Sequence, residues 1–287
     1  MGVTERAPAK LNLYLHVIGR RADNYHLIDS LVAFADIGDE LDAAPAAGLS
    51  LDITGPFADA LAGDSTENLV WRAATLLVGR LGRAPDVALR LVKNLPVASG
   101  IGGGSSDAAA TLRALVRLWR MPVGEELLNA IAAALGADVP ACLAARSVWV
   151  GGVGEELEIT PPLPPVFLVL ANPGIALPTA AVFKRRVGSF SKPGRFVPPA
   201  DAAALARLLA ERGNDLTDAA IGLVPEIGEV MRCLDATDGA LLARMSGSGA
   251  TCFALYADAR QAEAAAVRLA ADHPRWWVKT GALCHGN

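Results

Sequence analysis

Apolar and polar residues alternate along several short stretches of the chain, and this period of two predicts β-strands. Residues 11–18 place three leucines and a valine on one face, which indicates a half-buried strand. Residues 27–37 return to apolar character and residues 166–171 form a compact apolar run, so both are also predicted as strands. Further strands are predicted at 49–53, 87–92, 147–150, 156–159, 251–256 and 276–283.

Apolar residues at helical spacing mark the other elements. Leu112, Leu115 and Trp119 share one face of a helix that follows a glycine-rich segment. Ser105 or Ser106 is the expected cap of that helix. Further helices are predicted at 69–81, 124–135, 179–186, 202–209 and 259–271. Asp258 is the expected cap of the helix at 259–271. A short helix is predicted to begin near Pro140, and another to be capped by residues 214–217. This mixture in both halves of the chain predicts an α+β fold.

The proline cluster at residues 161–165 is the best candidate for a linker in the chain. We therefore expect two domains, residues 1–160 and residues 161–287. Residues 189–200 are rich in proline and serine, so we expect this second irregular stretch to be mobile.

Charge and cysteine content argue against several classes of protein. A formal net charge of −4 argues against nonspecific nucleic-acid binding, which needs a basic surface. No apolar run reaches the length of about 18 residues that predicts a membrane span. The first residues lack the apolar core of a signal peptide, and the four cysteines have no C-x-x-C spacing. We therefore expect a cytoplasmic protein with reduced thiols.

Candidate chemistry is concentrated in a glycine-rich loop, residues 96–106, which has glycines at 100, 102, 103 and 104 directly before a predicted helix. Such a loop gathers unpaired backbone N–H groups at the positive end of the helix dipole, which favours a bound phosphate. The alternative is a flexible turn before an ordinary helix. The loop lacks the lysine of a Walker A motif, and Ser105 replaces the third glycine of the dinucleotide fingerprint counted from Gly100.

Five motifs in one order resemble the GHMP small-molecule kinases, which include galactose, homoserine, mevalonate and phosphomevalonate kinases. The motifs are Ala-Lys10-Leu-Asn12-Leu, Arg-Ala-Asp-Asn24-Tyr25-His26, residues 96–106, Gly-Ala-Asp138-Val-Pro and residues 246–250. The resemblance implies a two-domain GHMP kinase fold. Its N-terminal ATP-binding, catalytic domain contains a left-handed β–α–β crossover, and its smaller C-terminal domain is an α/β sandwich on the substrate side.

The resemblance also implies a reaction, the ATP-dependent phosphorylation of the 2-hydroxyl of a cytidine-diphosphate-linked methylerythritol in non-mevalonate isoprenoid biosynthesis. Asp138 is then the general base, and Lys10 is the cation that stabilises the developing alkoxide. The implied ATP-binding residues are Asn68, Lys93, Pro96, Val97, Ala98, Ser99, Gly100, Ile101, Gly102, Gly103, Gly104, Ser105 and Ser106. The implied substrate-binding residues are Asn12, Tyr25, His26, Thr179 and Phe183. Mg²⁺ is expected with ATP, and the sequence does not identify its ligands.

Several alternatives stay open. Asp138 alone also fits a helix cap, and Lys10 alone fits a solvated lysine at the start of a strand. A GHMP kinase of the homoserine or mevalonate type, or a non-catalytic GHMP-fold binding protein, would keep the same loop. A cytosine needs aromatic faces, so Tyr25, His26 and Phe183 favour the cytidine-linked substrate. The presence of both Lys10 and Asp138 favours an enzyme. The expected partner is a small-molecule substrate, with no nucleic acid and no membrane, and the expected state is a monomer or weak homodimer.

Four residues depart from the family pattern. Ala98 and Ser99 stand where two glycines are frequent, Asn24 stands where glycine is usual, and Asp107 stands where asparagine is common. We expect Ala98 and Ser99 to stiffen the loop, and Asn24 to tolerate the left-handed backbone conformation. We expect Asp107 to lie in the first helical turn and to add negative charge close to ATP.

Overall fold

The computed structural model describes residues 2–284, which divide into two compact units. Within the described residues, the first unit comprises residues 2–9, Gly38–Val97 and Gly102–Ala145, and the second comprises Lys10–Ile37, Ala98–Ile101 and residues 146–284. Each unit is assembled from three separate stretches of chain, whereas the sequence predicted two continuous domains divided after residue 160. That boundary stays a prediction.

Strands β1 (Val3–Arg20) and β2 (His26–Pro45) pair with each other and are longer than the sequence pattern predicts. The residues of β1 from Ala9 to Leu15 are buried on both faces, polar residues included. The ends that the pattern missed, residues 3–8 of β1 and 38–45 of β2, have more buried and less buried residues in alternation.

The first unit contains a parallel strand pair joined by a helix. Strand β3 (Ser50–Thr54) lies parallel to β4 (Val87–Val92), and β4 lies antiparallel to residues 40–45 of β2. Helix α1 (Leu69–Leu81) connects the parallel pair as a β–α–β unit. Two short 3₁₀ helices precede α1, and three helices follow β4: α2 (Gly103–Trp119), α3 (Glu125–Leu135) and α4 (Val139–Ala144). Helices α1 and α2 pack on each other, and both contact α3.

The second unit contains an antiparallel sheet in the order β10-β7-β9-β8. Its strands are β7 (Phe167–Asn172), β8 (Leu242–Met245), β9 (Cys252–Tyr256) and β10 (Trp277–Ala282). Strand β5 (Val148–Gly151) pairs with residues 30–32 of β2 and with β6 (Glu156–Ile159). The helices are α5 (Thr179–Arg185), α6 (Ala202–Ala210), α7 (Thr217–Ile221), α8 (Glu226–Asp235) and α9 (Ala259–Asp272). Apolar residues of α7, α8 and α9 form one buried core with the sheet.

Several local predictions needed correction. Asn214 does not cap a helix, because α7 begins at Thr217 after Leu216, and the Asn214 Oδ1 atom instead accepts the Leu216 N–H at 3.0 Å. Helix α8 and strand β8 were not predicted, although Ile227, Val230 and Leu234 have helical spacing. Asp258 caps α9 as predicted, since its carboxylate accepts two backbone N–H groups. None of the helices within residues 2–284 is long and apolar enough to cross a membrane.

Residues 189–200 have no helix or strand, but hydrogen bonds hold this segment to the rest of the second unit. The Ser191 N–H donates to the Val17 carbonyl at 3.0 Å, and His16 Nδ1 donates to the Lys192 carbonyl at 2.8 Å. The Gly194 N–H donates to the buried Asp29 carboxylate at 2.6 Å. These contacts contradict the expectation that the segment is mobile.

Candidate functional site

The glycine-rich loop has a backbone shape that few side chains permit. Gly100 and Gly102 have φ angles of 75° and 61°. Helix α2 begins at Gly103, and no side chain caps it. Its first N–H groups therefore lie where an anion can accept from them, which fits the phosphates of ATP. Ser105 and Ser106 lie inside the helix and are not its cap, and the Ser106 hydroxyl donates to the Pro8 carbonyl at 2.7 Å.

In the second unit, Gly100 packs directly against the second glycine turn, residues 246–250. A Cβ at Gly100 would lie 2.6 Å from the carbonyl oxygens of Ser246 and Gly249. The Ser246 hydroxyl donates to the Gly100 carbonyl at 3.1 Å. Glycine is thus required at position 100 for close approach as well as for backbone conformation.

Lys10 and Asn12 lie in the buried middle of β1, next to the same turns. Lys10 is 5% exposed, and its N–H donates to the Ile101 carbonyl at 2.9 Å. The Asn12 N–H donates to the Ser246 hydroxyl at 3.2 Å, and its side-chain amide donates to the Ser30 hydroxyl at 2.8 Å. Lys10 is therefore not a solvated lysine at the start of a strand, which was the alternative interpretation.

Asp138, in the first unit, occupies the residue position directly before α4. Its side chain makes no capping hydrogen bond, and its backbone carbonyl accepts the Cys142 N–H at 3.1 Å. The residue is exposed. The Asp138 side chain therefore does not cap α4, which contradicts the alternative that Asp138 only caps a helix.

Two of the predicted substrate-binding residues stack on each other in the second unit. The rings of His26 and Phe183 are stacked with centroids 5.2 Å apart, whereas Tyr25 is 65% exposed. Asn24 precedes them with a φ of 71°, as expected of an asparagine that replaces glycine. Thr179 begins α5, and its hydroxyl lies 2.9 Å from the Ser248 hydroxyl in the second glycine turn.

The charge state of His26 follows from its surroundings. Burial lowers the pKa of His26, and the neighbouring guanidinium groups of Arg20 and Arg186 lower it further. The imidazole is therefore neutral at neutral pH, a form in which one nitrogen carries a proton to donate and the other can accept. A neutral imidazole of this kind is suited to the edge of a nucleobase.

Asn68 and Lys93 make internal contacts within the first unit. The Asn68 side-chain oxygen caps α1 by accepting the Val70 N–H at 2.9 Å. The Lys93 ammonium is 2% exposed and lies between two carboxylates, those of Asp39 and Asp107. Asp107 lies in the second turn of α2 and is buried, so the expectation of a first-turn carboxylate is wrong. Sequence reasoning missed Asp39, because nothing in the sequence distinguishes it from the acidic residues around it.

No cluster of three or more histidine, cysteine, aspartate or glutamate side chains suited to a metal ion occurs within residues 2–284. The donor set of a dedicated protein metal site is therefore not formed by these side chains. A divalent cation that accompanies ATP through phosphate oxygens and water needs no such cluster.

Comparison with known proteins gives the class of this protein. The model of the GHMP kinases N terminal domain matches residues 68–146, and the model of the GHMP kinases C terminal domain matches residues 199–275. The chain belongs to the GHMP kinase family, which confirms the predicted family and the α+β fold class. A kinase of this family uses ATP as its phosphoryl donor.

Within the family, the chain is similar to curated proteins named 4-diphosphocytidyl-2-C-methyl-D-erythritol kinase. It is 53% identical over 278 residues to the protein of that name from Paramagnetospirillum magneticum, covering 96% of this chain and 97% of the relative. It is also 53% identical over 285 residues to the one from Parvibaculum lavamentivorans, covering 98% of both chains.

Solved structures agree with this similarity. A crystal structure of 4-(cytidine 5'-diphospho)-2C-methyl-D-erythritol kinase matches with a TM-score of 0.81 and 36% identity, over 99% of this chain and 100% of the other. The L. major mevalonate kinase in complex with R-mevalonate matches with a TM-score of 0.71 at 19% identity, over 99% of this chain and 96% of the other. The second likeness shows a shared fold alone.

Proposed function

We propose that this chain transfers the γ-phosphoryl group of ATP to the 2-hydroxyl of 4-diphosphocytidyl-2-C-methyl-D-erythritol, a step in non-mevalonate isoprenoid precursor biosynthesis. The observation that carries the proposal is the 53% identity over 98% of both chains to the kinase of that name from P. lavamentivorans. The helix that begins behind the glycine-rich loop without a side-chain cap and the exposed position of Asp138 support it.

In this proposal the donor binds along the glycine-rich loop. Backbone N–H groups of residues 97–105 hold the phosphates, and Asn68 and Lys93 lie near the adenosine. The Lys93 ammonium is enclosed by two carboxylates, so Lys93 supports the adenosine site through the chain around it and not through a direct charge on ATP. Mg²⁺, bound by phosphate oxygens and water, supplies positive charge to the phosphates.

The acceptor hydroxyl is activated by the chain's own residues. The Asp138 carboxylate takes the hydroxyl proton, the hydroxyl oxygen forms a bond to the γ-phosphorus, and the bond from that phosphorus to the ADP oxygen breaks. The Lys10 ammonium stabilises the developing negative charge on the attacking oxygen.

The cytidine end of the acceptor is recognised by aromatic and polar side chains. Tyr25 and Phe183 offer ring faces on opposite sides of the cytosine, and neutral His26 accepts from or donates to its edge. Asn12 and Thr179 contact the remainder of the substrate. His26 and Phe183 lie against each other, with ring centroids 5.2 Å apart, so two of the residues proposed to meet the cytosine share one location.

Parallel assays test the proposed acceptor. The purified chain, with ATP and Mg²⁺, is offered the cytidine-linked methylerythritol, mevalonate and homoserine under the same conditions. We expect phosphorylation of the first compound alone. Phosphorylation of mevalonate or homoserine without the first would overturn the proposed acceptor but leave a GHMP kinase.

Replacement of the proposed base tests the mechanism. We expect Asp138→Asn to lower kcat by roughly a hundredfold or more, because an amide cannot take the hydroxyl proton. ATP binding, measured by calorimetry, should stay within about twofold of the wild-type value, since the change removes no group of the loop. The matched control Asp238→Asn alters another exposed aspartate and should leave kcat unchanged. Wild-type turnover in Asp138→Asn would exclude Asp138 as the base.

We further propose that the protein acts in the cytoplasm as a monomer or weak homodimer. The four cysteines are thiols and form no disulfide, which suits a reducing compartment. A net charge of −4 supports the proposal that nucleic acid is not a partner.

A further inference from the structure

Three charged side chains are buried together in the first unit, apart from the catalytic pair. The Lys93 Nζ atom lies 2.5 Å from Asp39 Oδ2 and 2.6 Å from Asp107 Oδ2. The three side chains are at most 3% exposed. They come from three elements, because Asp39 lies in β2, Lys93 directly follows β4, and Asp107 lies in α2. We refer to them as the Asp39–Lys93–Asp107 cluster.

The cluster contacts the chain on both sides of the glycine-rich loop. Asp39 Oδ1 accepts the N–H groups of Asn94 and Leu95, at 2.6 Å and 2.8 Å, just before the loop begins. The Lys93 Nζ atom lies 3.0 Å from the point that a Cβ at Gly103 would occupy, at the start of α2. The entry to the loop and the first helical turn behind it are thus set by one group of side chains.

The charges in the cluster do not balance in number. One ammonium faces two carboxylates, and Asp107 Oδ1 is buried without a hydrogen-bond partner. Burial raises the pKa of Asp107, the Lys93 ammonium lowers it, and the Asp39 carboxylate raises it again, with a net rise. Burial lowers the pKa of Lys93, but the two carboxylates outweigh this effect and raise it. The cluster therefore has a neutral form, in which Asp107 carries a proton, and a negative form.

We propose that Asp39, Lys93 and Asp107 are positioning residues for the glycine-rich loop, and that the charge on Asp107 sets how tightly the loop binds the phosphates of ATP. Asp39 holds the loop entry, and Lys93 holds Asp39 against α2. Ionised Asp107 adds a negative charge behind a loop that must accept the phosphate charge, whereas neutral Asp107 does not. This inference rests on the proposed function only in taking ATP as the ligand of the loop.

Asp107→Asn tests the effect of the charge, since it removes the ionisable group and nearly preserves its shape. The dissociation constant of ATP is measured by calorimetry from about pH 6 to about pH 9, with KM values for ATP and for the alcohol substrate alongside. In the wild type we expect ATP to bind about fivefold to tenfold more weakly as Asp107 loses its proton with rising pH. In Asp107→Asn this weakening should be absent. ATP's own ionisation affects both proteins equally, so it cancels in the comparison.

Asp39→Asn tests the positioning role. We expect KM for ATP to rise about tenfold, because Asn94 and Leu95 lose a charged acceptor and Lys93 loses a counter-ion. KM for the alcohol substrate should stay within about twofold, which a general loss of structure would not produce. The control Asp86→Asn changes an exposed carboxylate directly before the opposite end of β4 and should match the wild type.

The outcomes separate this inference from the proposed function. Equal pH profiles of ATP binding in wild type and Asp107→Asn would overturn the role of the charge, whether or not Asp39→Asn folds. Equal rises of both KM values in Asp39→Asn would overturn the positioning role. A wild-type chain that binds ATP with the expected pH dependence but phosphorylates none of the three alcohols would overturn the proposed function and leave the cluster's role intact.

Discussion

Ala98 has a φ of 51° within the glycine-rich loop, a left-handed conformation that places Cβ of an L-residue close to the next carbonyl oxygen. The expected stiffening of the loop at this residue is therefore accompanied by local backbone strain. The Ala98 carbonyl also accepts the Leu177 N–H at 3.2 Å, so the conformation is held by a neighbouring segment. A residue under such restraint fixes the loop shape at a cost in stability.

We expect Ala98→Gly to stabilise the protein by about 1 kcal/mol, because glycine adopts a positive φ without the Cβ clash and this gain exceeds its extra unfolded-state entropy. The thermal midpoint should rise by about 2–4 °C, measured by circular dichroism. Ala264→Gly is the matched control, since Ala264 is exposed inside α9 and its replacement should destabilise the helix by about 1 kcal/mol. A lower midpoint for Ala98→Gly would contradict the assignment of strain.

At the scale of elements, the 189–200 segment shows how irregular chain can be held in place. Tyr14 and the Gly194 N–H both donate to Asp29 Oδ2, at 2.7 Å and 2.6 Å. The ring of Phe196 packs edge-on against Trp149 with centroids 5.3 Å apart. Burial raises the pKa of Tyr14, and its hydrogen bond to Asp29 raises it further, so the phenol keeps its proton and continues to donate. Asp29 is the common acceptor on which the segment depends.

We expect Asp29→Asn to increase the rate of trypsin cleavage after Arg195 by about tenfold. The change removes the charged acceptor of the Gly194 N–H and the ion pair with Arg195, so the segment opens more often. Mass spectrometry of timed digests measures the cleavage. Asp36→Asn alters an exposed aspartate of the same strand and should leave the rate unchanged. A rate in Asp29→Asn equal to that of the control would show that the segment is held by other contacts.

On the scale of the whole molecule, the four cysteines differ in how far they are exposed to solvent. Cys142 and Cys252 are buried, whereas Cys233 and Cys284 are partly exposed. Burial raises the pKa of the Cys252 thiol, and burial together with the nearby Glu229 carboxylate raises that of Cys233. Each of these shifts reduces the reactive thiolate at neutral pH.

We expect a thiol reagent such as Ellman's reagent to label at most two of the four cysteines in the native protein, and all four after unfolding. Cys233→Ser should remove one native-state label, and absorbance at the released thiolate's band gives the count. Labelling of three or four thiols before unfolding would contradict the burial of Cys142 and Cys252.

Local patterns were enough to predict much of the secondary structure and the glycine-rich loop. The bounds of α1 and β4 match the predicted ones, because the signals for both lie in residues close together in the chain. These signals are the spacing of the apolar residues and, for α1, the capping asparagine. The family, and with it the proposed roles of Lys10 and Asp138, came from short motifs in a fixed order. The ends of β1 and β2 were not predicted, although buried residues alternate with less buried ones along residues 39–44 of β2.

The sequence by itself thus determined the fold class, the family and the loop that is proposed to bind ATP. The tertiary structure alone decided which polar residues are enclosed, since burial depends on elements far apart in the chain. It brought Asp39 and Asp107 onto Lys93 across separations of 54 and 14 residues. It also brought Gly100 against Ser246 across 146 residues. The role of a buried charge or of a tightly packed glycine depends on residues that are distant in the sequence and close in the fold. The local periodicity of apolar residues carries no information about these contacts.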